Sequence, residues 1–120
     1  MAVIRYIVAD VDASVAFYAR LGFEVEQQFG PNMAIVGRDD LTLWLAGPNA
    51  SASRPMPDGR RPEPGGWNRL VLTVDDLAAT VEELRAAGVP FRNDVVTGPG
   101  GRQILCEDPS GNVVELFQPA

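Results

Sequence analysis

A chain of 120 residues has room for one domain with a substantial core and too little for two ordinary ones. With 46% apolar and 22% charged residues it is excluded from the disordered class, and no apolar run approaches the roughly 18 residues that cross a bilayer. A formal net charge of -6 offers no footprint for a phosphate backbone, and no basic stretch followed by an apolar one leads the chain, so the expected setting is the cytoplasm, without nucleic acid or membrane as partner.

The sequence contains no histidine. That removes the commonest general base at neutral pH and the commonest nitrogen ligand for Zn, Fe, Ni or Mn. Cys106, the single cysteine, can form no disulfide within the chain and reads as a small buried strand residue.

In chain order, Val3 to Val8 is a β-branched and aliphatic run of strand length. The pair Asp10/Asp12 follows, with carboxylates able to accept from the free N–H groups of a first helical turn. Val11, Val15 and Tyr18 then recur at i, i+4 and i+7, the apolar stripe of a helix, and Gly22 stands where a left-handed cap would release it. Three strands are expected next, Phe23 to Phe29, Met33 to Gly37 and Leu41 to Ala46, parted by turns at Gly30-Pro31-Asn32 and Arg38-Asp39-Asp40. Pro48 to Gly66 holds five of the ten prolines and three glycines without periodicity, and reads as a connector or as a lid over a pocket.

The pattern then starts again. Leu70 to Val74 is strand-like, Asp75/Asp76 opens a helix striped by Leu77, Val81 and Leu84, and Gly88 ends it. Strands are expected at Val89 to Val95, Arg102 to Glu107 and Asn112 to Gln118, with turns at Gly98-Pro99-Gly100-Gly101 and Asp108-Pro109-Ser110-Gly111. At an offset of 66, Val8 falls on Val74, Asp10 on Asp76, Ser14 on Thr80, Val15 on Val81 and Gly22 on Gly88. The expected architecture is α+β: one domain made of two βαβββ modules, about 1–47 and 67–120, joined by a connector over 48–66.

"DVDASVAFYARLGFEV" (Asp10 to Val25) and "DPSGNVVELF" (Asp108 to Phe117) resemble the vicinal-oxygen-chelate superfamily, which includes glyoxalase I, extradiol dioxygenases and bleomycin-resistance proteins. The resemblance implies paired βαβββ modules curling a mixed sheet around a cavity, commonly in a homodimer. In metal-dependent members each module supplies one ligand from its first strand, seven positions before the aspartate that opens the helix, and one from its last. Here those first-strand places hold Val3 and Arg69, a side chain without donor atoms and a guanidinium that stays protonated. "GNVVEL" puts Glu115 at the last-strand place of the second module, and "LTLWL" suggests Trp44 in the first, whose indole N–H can only donate. One carboxylate cannot hold a catalytic divalent ion, so neither metal nor cofactor is expected.

Arg69 beside Glu115 instead suggests a charge-assisted pair. Alternation places Arg5, Thr42, Trp44, Trp67, Arg69, Thr73, Glu115 and Phe117 on the cavity wall, with Phe29 and Met33 at its rim, a lining suited to a flat aromatic ligand with polar edges. The expectation is a metal-free protein of the bleomycin-resistance type that sequesters a bulky, antibiotic-like small molecule. The alternatives are a metal-free enzyme with Glu115 as general base and Arg69 steadying an oxyanion, or a metal-dependent lyase, isomerase or dioxygenase drawing ligands from Asp39, Asp40 or Glu107 as well.

Overall fold

In the computed structural model, which describes residues 2–120, the chain parts into two compact units, Met1–Gly65 and Gly66–Ala120. Unit one runs β1 (Ile4–Ile7), α1 (Val11–Arg20), β2 (Glu24–Phe29), β3 (Met33–Arg38) and β4 (Leu41–Ala46). Unit two repeats the plan with β5 (Arg69–Thr73), α2 (Leu77–Ala86), β6 (Val96–Gly98), β7 (Gly101–Glu107) and β8 (Val113–Pro119). Each unit is a βαβββ module with its own mixed four-stranded sheet, ordered β1-β4-β3-β2 in the first and β5-β8-β7-β6 in the second. In each sheet the first strand lies parallel to the last, and the remaining pairs are antiparallel.

The repeat seen in the sequence is reproduced bond by bond at the helix starts. Asp10 caps α1 by accepting from the Ala13 N–H at 3.0 Å, and Asp76 caps α2 by accepting from the Ala79 N–H at 3.0 Å. One turn in, the Ser14 hydroxyl donates to the Asp10 carbonyl at 2.8 Å and the Thr80 hydroxyl to the Asp76 carbonyl at 2.9 Å. Asp12 is not part of the cap; it accepts from Gln28 Nε2 at 2.8 Å. Gly22 and Gly88 leave the helices with φ of +88° and +83°, the left-handed geometry that lets the chain turn back without a Cβ penalty.

Alternation decides which face of each sheet is core. In unit one Ala34, Val36, Leu43 and Leu45 are buried on the side covered by α1, which contributes Val11, Phe17 and Tyr18. In unit two Leu70, Leu72, Ile104, Val114 and Leu116 are buried on one side with Leu77, Val81 and Leu84 of α2 in the core, and Cys106 shares that side. The opposite face of each sheet is not covered by the unit's helix, and the candidate site residues stand there.

One expected element is absent. Val89 to Val95 does not form a strand: Pro90 has no N–H to donate, and the Asn93 side chain takes the Leu105 N–H at 2.9 Å in place of a backbone carbonyl. Only an isolated bridge joins Phe91 to Cys106, and the edge strand β6 begins at Val96. The connector is also more structured than a bare tether at its start. Ala50 and Ser53 are buried within unit one, and the Ser53 hydroxyl donates to the Gly47 carbonyl at 2.7 Å.

Candidate functional site

The sequence-predicted residues fall into two sets, one on each unit. On unit one, the registers Arg5 with Trp44, Ile35 with Trp44, Met33 with Ala46, and Phe29 with Met33 put Arg5, Trp44, Met33 and Phe29 on the face away from α1. Thr42 joins them opposite Gly37. The Arg5 guanidinium lies 5.0 Å above the centre of the Trp44 ring, a cation–π contact that orients both side chains. Phe29, 48% exposed, stands at the end of the edge strand, so the unit presents an aromatic and aliphatic surface with a fixed cation.

On unit two, β5 and β8 run parallel with Val71 opposite Glu115 and Thr73 opposite Phe117, which sets Arg69, Val71, Thr73, Glu115 and Phe117 on the face away from the Leu70 and Leu72 core. Arg69 and Glu115 meet, Nε to Oε1 at 3.1 Å. The pair expected from sequence therefore forms. Glu115 is only 7% exposed, and the guanidinium supplies the counter-charge that its burial requires.

Trp67 stands just before β5 rather than in it, 70% exposed, with the Arg92 guanidinium 4.5 Å from its ring centre. Arg92 is held from three directions. Its Nε pairs with Glu107 Oε2 at 2.7 Å, and its remaining donors reach the Gly66 carbonyl at 2.8 Å and the Gly111 carbonyl at 3.1 Å. Sequence reasoning did not single out Arg92, because it placed the residue in a strand that does not form. In sequence Arg92 lies between Phe91 and Asn93, far from Trp67, and no local pattern marks it.

The donor set does not fit a divalent metal. Val3 has no ligating atom, Arg69 is committed to Glu115, Trp44 lies under Arg5, and Glu107 is paired with Arg92. Asp39 and Asp40 sit in the exposed turn between β3 and β4, where Asp39 is 4.0 Å from Arg38. Among the described residues no three of His, Cys, Asp and Glu converge on one point. Among the described residues, surface hollows lie elsewhere, such as one of about 230 Å³ between Ile7, Ser53 and the prolines of the connector and one of about 300 Å³ at the ends of β6, β7 and β8 beside Arg102.

Two βαβββ modules, each with a sheet face that its own helix leaves uncovered, define the architectural class. The sequence matches the Glyoxalase/Bleomycin resistance protein/Dioxygenase superfamily over residues 1–116, and the chain belongs to that superfamily. Among solved structures it is similar to a lactoylglutathione lyase from Agrobacterium tumefaciens, at 23% identity over 98% of this chain and 92% of that one, with a TM-score of 0.71. It is also similar to TnmS3, an antibiotic binding protein from Streptomyces sp. CB03234, at 27% identity over 100% and 97% of the two chains, with a TM-score of 0.68. A superfamily member from Sphaerobacter thermophilus matches at 26% identity over 98% and 97%, with a TM-score of 0.70.

Proposed function

We propose that the protein is a metal-free binder that sequesters a bulky, flat aromatic compound of antibiotic-like size. The observation that carries this reading is the Arg69–Glu115 pair at 3.1 Å, which commits the one carboxylate of the family's ligand positions to a guanidinium. Support comes from the aromatic and aliphatic groups on the same sheet faces, Trp44, Phe29 and Met33 on one unit and Phe117 on the other, and from the 27% identity to an antibiotic binding protein. Arg5, Thr42, Trp67, Arg69 and Thr73 supply polar and stacking contacts to the edges of the ligand. The protein acts in this reading as a homodimer in the cytoplasm.

Titration of tryptophan emission with a panel of polycyclic aromatic antibiotics tests it. Saturable quenching by at least one compound is expected; unchanged emission across the panel contradicts the proposal.

The same pair supports a second reading. A carboxylate beside a fixed cation can take a proton from a substrate while the guanidinium steadies the oxyanion that results. Glu115→Gln separates the two: a general base is abolished by that change, whereas a binder keeps its ligand with altered affinity.

A further inference from the structure

The sheet face of unit one carries a carboxylate that the site described above does not include. Strand β2 is irregular between Val25 and Gln27: Val25 lies opposite Val36 and Gln27 opposite Ile35, which leaves Glu26 as the extra residue of a bulge. A bulge of this kind turns two consecutive side chains to one side, and Glu26 consequently leans inward over its neighbouring strand. Its Oε1 fills the space that a Cβ on residue 37 would need, and its Cδ lies 3.1 Å from that point. Gly37 is the register partner of Thr42 and lies two residues along β3 from Ile35, the partner of Trp44. The Glu26 carboxylate therefore lies on the same face as Trp44, Arg5 and Thr42, and it makes no hydrogen bond or ion pair among the described residues.

Arg5 and Glu26 stand on the two opposite edge strands of the four-stranded sheet, with the Trp44 strand and its neighbour between them. Both side chains reach inward, the Arg5 guanidinium over Trp44 of β4 and the Glu26 carboxylate over Gly37 of β3, so the two charges stand over adjacent strands of one face. The cation at the β1 edge is already engaged by Trp44. At the β2 edge neither Glu26 nor Glu24, which stands opposite Gly37, forms an ion pair among the described residues, and of the two it is Glu26 that leans over Gly37.

We infer that Glu26 is a specificity-determining residue, selecting aromatic ligands that carry a protonated amine at the end directed toward β2. This rests on the reading of the surface as ligand-binding. Gly37 is part of the device, since any side chain there would push the carboxylate off the face, while its backbone is outside the left-handed region and accepts alanine.

The test is fluorescence anisotropy of two probes on the full chain: proflavine, a planar tricyclic cation, and acridone, an uncharged tricycle of similar size. The parent is expected to bind proflavine about three- to fivefold more tightly, the scale of one exposed charge pair. That preference should fall to near one in Glu26→Gln and in Gly37→Ala, and persist in Glu63→Gln, a control for the chain's general negative charge. Circular dichroism and melting temperature matching the parent confirm that the variants fold. A preference that survives Glu26→Gln, or equal binding of both probes by the parent, overturns the inference and leaves the ligand-binding reading standing. If neither probe binds, the inference fails, and the tryptophan titration with the antibiotic panel decides the ligand-binding reading separately.

Discussion

Glu115 is a carboxylate with 7% exposure, and the side chain of its cationic neighbour Arg69 is one-third exposed. Removing that neighbour strands a charge in a site with little water, so Arg69→Met is expected to lower the unfolding free energy by about 2 kcal/mol, below the cost of breaking a fully buried pair because the arginine side remains partly solvated. In urea denaturation the double variant Arg69→Met/Glu115→Leu should regain most of that loss; equal costs for the single and the double would show that the two side chains are not coupled. Arg92 holds Trp67 in place through a stacked guanidinium fixed by Glu107 and two carbonyls. In a Trp44→Phe background, Arg92→Met should increase the fast component of Trp67 time-resolved anisotropy, and an unchanged decay would show that Trp67 is positioned by something else.

Cys106 gives a pH prediction of definite sign. Burial, reinforced by the nearby Asp108 and Glu107 charges and offset in part by a backbone hydrogen bond, pushes its thiol from an ordinary 9.0 up to about 12. The unfolded chain therefore loses this proton before the folded one does, and the thiol's contribution to stability is complete below about pH 9 and declines as pH rises toward 12. Cys106→Ala should flatten that decline relative to the parent when melting temperatures are compared across pH 8 to 11. At the residue scale the sequence was informative where a residue type broke a pattern, as Arg69 does, and silent on Arg92 and Glu26, whose positions depend on a strand that fails to form and on a bulge. A glycine inside the β3 run, at Gly37, was the one local sign that another group approaches that backbone closely.

Helices α1 and α2 begin in the same way because the two aspartates and the Ser14/Thr80 hydroxyls occupy equivalent places. Asp76→Ala is expected to cost about 1 kcal/mol, and Asp10→Ala about the same, by leaving first-turn N–H groups without their side-chain acceptor. Thermal denaturation of the two variants checks this, and a large inequality would break the equivalence of the modules. Helices and most strands were legible because apolar spacing and cap residues act locally. Element order within each sheet is set by pairing between distant strands, with β1 beside β4 and β5 beside β8, and no local signal in the sequence carries it. The absence of the strand expected at Val89 to Val95 shows the limit: the strand-forming Val89, Phe91 and Val95 were outweighed by Pro90 and by the side-chain acceptor of Asn93.

At the scale of the whole molecule, two modules of like plan carry unlike surfaces. Unit one offers Trp44 under Arg5, and unit two offers an ion pair and an exposed tryptophan. Such divergence accords with a duplicated framework in which the buried faces keep the fold and the helix-free faces set what is bound. The proposed homodimer predicts a sedimentation-equilibrium mass twice that of the chain, and a single-chain mass at micromolar concentration would contradict it. Affinity alone, without a metal and without chemistry, is what the proposed function asks of this protein. It is tested most directly by calorimetric titration of chelator-treated protein with an aromatic antibiotic that quenches its tryptophan emission, followed by mass analysis of the recovered compound. Saturable binding that is unaffected by added Zn, Ni, Mn or Fe and a compound recovered intact are expected; binding that requires one of those ions, or a compound converted to product, would contradict the proposed function.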